Sequence, residues 1–277
     1  MPFRMQPGKF YRMPVVFGPS LGPRQRGSNH TLFSKDAPKA TVITVSFRTD
    51  PAQLEALLPE GFSLRAEPVV SVRFTCLKEI PWLAGRGYNH LGLSFPAVFK
   101  GKRDVVEGDF LTVLWENLCD PIITGREELG YSKIYCELPE PAVLAGTTHC
   151  TASWLGFKFM DLRASDLRVP SPEEAAKLVD PASEGVLHFK YMPRTGDWGT
   201  ADAAYATLTP HADPNKTVTE RWVGSGSVKF HEATWEELPT LYNIVNCFHA
   251  LEVREWLGAG IVKTVGAKDY SDQRILL

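Results

Sequence analysis

Short runs of alternating apolar and polar residues dominate the chain from Thr41 onward. Each run spans five to nine residues, with turn-forming residues between them, a pattern typical of strands that bury one face. The predicted strands are Thr41–Phe47, Val69–Cys76, Phe110–Leu114, Lys133–Glu137, Gly146–Trp154, Val186–Met192, Ala203–Thr209 and Val223–Phe230. The pattern therefore predicts a mainly β (α+β) fold built on a largely antiparallel sheet.

Helices are predicted at three places, all peripheral to this sheet. Asp50 and Ser171 are each followed by proline, a combination typical of a helix N-terminus, and they predict helices over Ala52–Leu58 and Glu173–Val179. The longest predicted helix is Leu238–Trp256, whose apolar residues follow a three-four spacing.

The first forty residues differ from the rest because they are rich in Pro, Gly and Arg. Such a composition predicts an extended arm, here residues 1–40, rather than a helix or strand. The remaining 41–277 contain no Pro/Ser/Gly-rich linker, and a chain of 277 residues with 44% hydrophobic content can bury a substantial core. We therefore expect one domain, with the arm lying on a neighbouring surface.

Charge and cysteine content exclude several classes of function. The net charge of −2, without a basic stripe, argues against nucleic-acid binding, and no apolar run approaches the roughly 18 residues of a membrane-spanning helix. The five cysteines are widely spaced and include no C-x-x-C pair, which argues against a disulfide framework and a zinc site. We expect a cytosolic protein with reduced thiols, no metal and a small-molecule substrate.

The candidate reactive residue is Lys133, which stands between Tyr131 and Tyr135 with apolar neighbours. A strand here would direct the lysine and both tyrosines to one face of the sheet. Two interpretations follow: the lysine is an amine nucleophile in an apolar setting, or its stem packs on tyrosine while its head reaches water.

The order Gly-Arg-Glu, five residues, then Lys resembles the active-site segment of the acetoacetate decarboxylase-like superfamily. Further similar segments occur in the family order, and the resemblance runs from about Val42 to Leu251. These segments are Val72-Arg73-Phe74, Gly108-Asp109-Phe110-Leu111, Glu220-Arg221-Trp222-Val223-Gly224 and Leu238-Pro239-Thr240-Leu241-Tyr242. The resemblance implies a closed antiparallel β-barrel around a ligand cavity, a Schiff base between Lys133 and a keto acid, no cofactor, and a homo-oligomer.

The chain departs from the decarboxylases of that family at four polar positions. Ile134 replaces a second lysine, Ala40 replaces an arginine, and Thr75 and His90 replace two glutamates. Because an ordinary lysine amine is protonated at neutral pH and only the neutral amine attacks a carbonyl, desolvation must take over the role of the missing cation. The departures also imply that acetoacetate is a poor substrate.

His90 is the candidate proton carrier beside the lysine. Histidine takes and gives protons near neutral pH, although a histidine hydrogen-bonded at the pocket rim is an equally open interpretation. The candidate substrate contacts are Tyr88, Tyr131, Arg126, Glu127 and Trp222. For Trp222 the alternative is a core aromatic residue, and for Glu127 it is an ion pair within the loop.

Three functions remain open. The first is decarboxylation of a β-keto acid other than acetoacetate through an imine on Lys133, with a limb near the ordinary histidine pKa in the pH–rate profile if His90 moves the proton. The second is an aldolase-dehydratase or hydratase reaction of a 2-oxo acid such as pyruvate on the same lysine. The third is a barrel that binds a hydrophobic ligand without turnover.

Overall fold

The computed structural model describes residues 3–27, 36–178 and 180–277. The strands are β1 (Lys39–Arg48), β2 (Phe62–Leu64), β3 (Val69–Lys78), β4 (Tyr88–Lys100), β5 (Val105–Glu116), β6 (Lys133–Tyr135), β7 (Ala142–Leu144), β8 (Thr147–Trp154), β9 (Phe157–Arg168), β10 (Gly185–Pro193), β11 (Ala201–Pro210), β12 (Thr217–Phe230), β13 (Glu255–Val265) and β14 (Arg274–Ile275). The α-helices are α1 (Pro51–Glu55), α2 (Cys119–Thr124), α3 (Pro172–Lys177) and α4 (Tyr242–His249). None of the helices in these ranges is long and apolar enough to cross a membrane.

The strands form one sheet in the order β14-β11-β10-β5-β4-β3-β1-β13-β12-β9-β8-β7, with β2 on β4 and β6 on β5. Most neighbours are antiparallel, while β10 and β6 each run parallel to β5. The mainly β prediction is confirmed, but the sheet does not close into the predicted barrel. The segment after the short β6 meets β8 at an isolated bridge between Glu137 and Ser153 instead of a continuous ladder.

Each predicted strand is present, and several are longer than predicted. Asp50 and Ser171 cap α1 and α3 as predicted, although α1 ends earlier, and Val179 lies outside the described residues. The predicted helix Leu238–Trp256 is wrong at both ends, because only α4 is α-helical. Residues 251–254 form neither helix nor strand, and only the last two residues of the predicted helix, Glu255 and Trp256, begin β13 and pair with β1.

An aromatic cluster fills the core between the sheet and α4. The Trp115 ring lies 5.4 Å from that of Phe159 and 5.8 Å from that of Phe248. Burial of each such ring stabilises the fold by roughly 1.5–3 kcal/mol. Because successive side chains of a strand point to opposite faces, Trp115 in this core places the next residue, Glu116, on the other face of β5.

The described part of the arm, residues 3–27, packs on the helical segment after β5. Arg12 and Arg24 both form ion pairs with Glu128, and Arg12 also donates to the Thr124 hydroxyl. The three charged side chains are only 10–12% exposed, so water screens these pairs little. The arm thus fixes the helical segment that packs on Lys133.

Candidate active site

Lys133 begins β6 and is 7% exposed. Its Nζ lies 2.8 Å from Oε1 of Glu116 and donates to the carbonyl of Pro121 at 3.0 Å. The Tyr131 ring is on a third side, with its centroid 5.4 Å from Nζ. The ammonium group is therefore inside the protein, contrary to the alternative in which its head reaches water.

A wide helical turn, Gly125–Leu129, follows α2 and packs directly on the lysine stem. At Gly125 a Cβ atom would lie 2.8 Å from Nζ and closer still to Cδ and Cε, so any larger residue would force the lysine side chain to move. The next residue, Arg126, is exposed, and its Nη1 donates to the backbone carbonyl of Lys133 at 2.8 Å. The Gly-Arg pair of the motif therefore positions Lys133 through its stem and its backbone.

Glu116 is the partner of the lysine, and no local pattern in the sequence identifies it. Its side chain is fully buried, and the parallel register of β5 and β6 places Leu114 opposite Lys133. Neither carboxylate oxygen has a well-aligned hydrogen-bond donor among the described residues, although the lysine is within ion-pair distance. Burial raises the pKa of Glu116 and the charge of Lys133 opposes that shift, so Glu116 binds a proton more readily than an exposed glutamate.

His90 lies on β4 between Thr75 of β3 and Glu116 of β5, directly opposite both. Directly paired residues share a face of the sheet, so this row lies on the same side as the lysine. Burial, followed by the charge of Lys133, lowers the pKa of His90 to about 3. His90 is therefore neutral at neutral pH, and the limb of the pH–rate profile predicted near the ordinary histidine pKa is corrected. The Nδ1 atom of His90 has no hydrogen-bond partner among the described residues.

Tyr131 connects the lysine to a second buried histidine. Its hydroxyl donates to Oγ1 of Thr209 at 3.1 Å, and its ring stacks on His188 with the centroids 4.0 Å apart. Burial, followed by the charge of Lys133, also lowers the pKa of His188 to about 3. The sequence signal for His188 was a polar residue within the apolar pattern of β10, and it was not recognised.

Tyr88 and Tyr270 line a cavity of about 100 Å³ together with Pro23 of the arm. Burial raises the pKa of Tyr88 well above its ordinary value and that of Tyr270 to about 12, so both are neutral phenols. The carboxylate of Glu116 contributes to both shifts, which places the two phenols within its electrostatic range. Tyr270 carried no signal in the sequence.

The structure does not bring Glu127 or Trp222 to the lysine amine. The Glu127 carbonyl accepts a hydrogen bond from Lys190, and Trp222 lines a separate groove of about 1020 Å³ that also contains Ala40. Lys263 lies over the Trp222 ring, with Nζ 5.0 Å from its centroid. Substrate binding by these two residues stays a prediction.

The neighbours of Lys133 along the chain also differ from the expected pattern. Tyr135 is 47% exposed and Tyr131 precedes the first residue of β6, so the sharing of one face by both tyrosines stays a prediction. Ile134 lines a different cavity that does not include Lys133. A side chain at position 134 therefore points away from the amine, and the interpretation of Ile134 as a missing cationic neighbour is corrected.

Comparison with known proteins gives one family. The family model described as acetoacetate decarboxylase (ADC) matches residues 12–268. An acetoacetate decarboxylase of Chromobacterium violaceum is 36% identical over 92 residues, which are 33% of this chain and 34% of that protein. The aligned region is thus about a third of the length of this relative.

Solved structures show the same fold over most of the chain. The acetoacetate decarboxylase of Legionella pneumophila superposes with a TM-score of 0.65 at 20% identity and covers 87% of this chain and 88% of its own. The enduracididine biosynthesis enzyme MppR, in complex with pyruvate, gives a TM-score of 0.62 at 17% identity and covers 90% and 93%. At these identities the likeness concerns the fold alone.

Proposed function

Because the chain belongs to the acetoacetate decarboxylase family, we propose that it is a lyase that forms a Schiff base between Lys133 and a keto acid. The observation that carries this proposal is the burial of the Lys133 amine at 2.8 Å from the carboxylate of Glu116. A buried lysine with an acid–base partner is a typical arrangement for an amine nucleophile.

The first step is proton transfer within this pair. At rest the two groups attract each other as an ion pair, and when the substrate carbonyl enters, the ammonium passes its proton to Glu116, whose pKa burial has raised. The neutral amine then attacks the ketone carbon of the substrate, and a proton passes from the amine nitrogen to the carbonyl oxygen to give a carbinolamine. Glu116, now a carboxylic acid, returns the proton to the hydroxyl that leaves as water, which yields the iminium and the carboxylate.

After imine formation the carboxylate of Glu116 is the base beside the reacting carbon. This carboxylate removes a proton from the carbon next to the imine, and the resulting enamine then adds to an aldehyde. Protonation of the new alkoxide, loss of water and hydrolysis of the imine, which frees Lys133, complete an aldolase-dehydratase reaction. This arrangement supports a 2-oxo acid as substrate, in line with the pyruvate bound by MppR.

Decarboxylation of a β-keto acid is the second candidate, supported by the similarity to the Chromobacterium decarboxylase. Here the iminium accepts the electron pair released as carbon dioxide leaves, and the enamine then takes a proton. His90 is a weak source of that proton because it is neutral near pH 7. Water, or a phenol such as Tyr88, would supply it.

Borohydride trapping followed by intact-mass measurement tests the proposal. Pyruvate, acetoacetate and a longer β-keto acid are each added with borohydride to the wild type, Lys133→Ala and the control Lys190→Ala. We expect substrate mass on the wild type and the control and none on Lys133→Ala. Labelling of another lysine, with activity intact in Lys133→Ala, would overturn the assignment, while carbon dioxide release and aldehyde condensation assays separate the two reactions.

Self-association and a cytosolic location, both expected from the sequence, are further proposals. The family resemblance supports the first, and the absence of a spanning run from the sequence supports the second. Mass photometry and cell fractionation would test them.

A further inference from the structure

A second cavity of about 520 Å³ lies behind β6, on the face that Ile134 shares with α4. This volume is within the range of small-molecule sites, roughly 300–1,000 Å³. The walls come from β5, the turn Gly125–Leu129, β10 and α4, and they are mainly apolar. The apolar side chains include Phe110, Val113, Ile134, Phe189, Ile244 and Phe248.

The charges in this cavity are of one sign. Arg126 and Lys190 line it, and no aspartate or glutamate is among its described lining residues. Both side chains donate to backbone carbonyls, Arg126 to Lys133 at 2.8 Å and Lys190 to Glu127 at 2.6 Å. These contacts hold the two cations in place without neutralising them.

The carboxylates nearest to Lys190 do not cancel this charge. Two carboxylates, Glu128 and Glu127, raise the pKa of Lys190 through their charge. Glu128 already pairs with two arginines of the arm, and Glu127 does not line the cavity. Burial is the main cause that lowers the pKa of Lys190. An anion in the cavity would compensate for the solvation that this ammonium has lost.

The larger groove around Trp222 provides a contrast. Two lysines there are paired with carboxylates of the same groove: Lys78 lies 3.0 Å from Glu140 and Lys263 lies 3.1 Å from Glu220. That groove therefore offers an incoming anion little net attraction. The cavity behind β6 combines an apolar interior with two cations that have no carboxylate partner within its wall.

We propose that the cavity behind β6 binds an aliphatic carboxylate of the fatty-acid class. The chain of the ligand packs on the phenylalanine and isoleucine side chains, and its carboxylate pairs with Arg126 and Lys190. Lys133 does not line this cavity, although Tyr131, whose ring centroid lies 5.4 Å from the lysine Nζ, does. The proposal does not depend on the imine chemistry.

The cysteines of the chain provide a reporter for this site. Cys247 is exposed and lines the cavity, whereas Cys119 is exposed but lies outside it. Cys76, Cys136 and Cys150 are buried, and burial raises the pKa of each thiol, that of Cys76 to about 12. A maleimide should therefore label Cys247 and Cys119 selectively.

The experiment measures maleimide labelling of the full chain by intact mass, with Cys119→Ser and Cys247→Ser used to assign the two sites. Decanoate at roughly ten times its Kd should slow labelling of Cys247 by about tenfold and leave Cys119 unchanged. Decanol at the same concentration should protect far less. Lys190→Met should weaken protection by decanoate, while Lys263→Met, in the other groove, should not.

Three results would overturn the proposal. Absence of protection would show that decanoate does not bind, and equal protection by decanol would show that the cations play no part. A Cys247 that resists labelling before any ligand is added would show that another surface, such as a second copy of the chain, covers the cavity.

Discussion

The pair formed by Lys133 and Glu116 predicts a large coupling in a double-mutant cycle with Lys133→Met and Glu116→Gln. At 2.8 Å between Nζ and Oε1, Coulomb's law gives an attraction of about 6 kcal/mol for an effective dielectric constant of about 20. Desolvation of both groups opposes this attraction, and breaking a buried pair by removing one partner typically costs about 3–5 kcal/mol. The free energy of unfolding of the double variant should fall by about 3 kcal/mol less than the two single variants lose together.

The Lys133→Met variant should also depend on pH in a defined direction. Burial raises the pKa of Glu116 and Lys133 opposes the rise, so removal of the lysine raises that pKa further. A carboxyl whose pKa is higher in the folded than in the unfolded state binds its proton more tightly when folded. Stability of the variant is therefore greatest below the ordinary value of 4.5 and falls as the pH rises through the folded pKa.

Urea unfolding of the wild type, both single variants and the double variant, at pH 4.5 and pH 7.5, measures both effects. Lys158→Met serves as a control, because this lysine is half-exposed at the surface. A coupling energy below about 1 kcal/mol would refute the buried ion pair, because surface pairs reach that value. Equal stability of Lys133→Met at the two pH values would refute the assigned proton affinity of Glu116.

Three further predictions concern activity. Gly125→Ala should displace the lysine stem and slow borohydride trapping by roughly 10²-fold, whereas Gly260→Ala, whose added Cβ would meet its nearest atom at 3.5 Å, should trap normally. His90→Gln should retain trapping and change turnover little, because Glu116 is the base beside the imine and His90, with a pKa of about 3, is neutral near pH 7. The wild-type pH–rate profile should likewise show no histidine limb near neutral pH, and a loss of roughly 10²–10⁴ in the turnover of His90→Gln would show instead that this histidine moves the proton. Carbon dioxide release from acetoacetate should stay below the ordinary enzyme range of ~1–10³ per second, and turnover within that range would contradict our interpretation of Ala40, Thr75 and His90.

The strand pattern was readable from the sequence because alternation along a strand is a local property. Lys133 was recognisable for a related reason, since the Gly-Arg-Glu motif and its lysine lie within nine residues. Glu116 was not recognisable, because it follows an apolar run as an ordinary last residue of a strand. Its meeting with Lys133 depends on the parallel register of β5 and β6, which no local pattern encodes.

The remaining errors have similar causes. The apolar spacing of Leu238–Trp256 continues beyond α4, but pairing of β13 with β1 offers its last residues better backbone partners. The pKa of His90 depends on enclosure by protein and on the charge of Lys133, which the sequence does not show. The closed barrel was expected from the family resemblance, whereas the strand order found here runs from β14 to β7 without closing.

Alternation along β6 also gives consecutive residues of the chain different surroundings. Lys133 faces the buried carboxylate of Glu116, whereas Ile134 faces the cavity behind the strand. A saturation scan across this strand should therefore divide into two groups by the parity of residue number, one changing catalysis and the other changing occupancy of the rear cavity. Ile134 is thus the position at which to change the shape of the cavity behind β6 without touching the Lys133 amine.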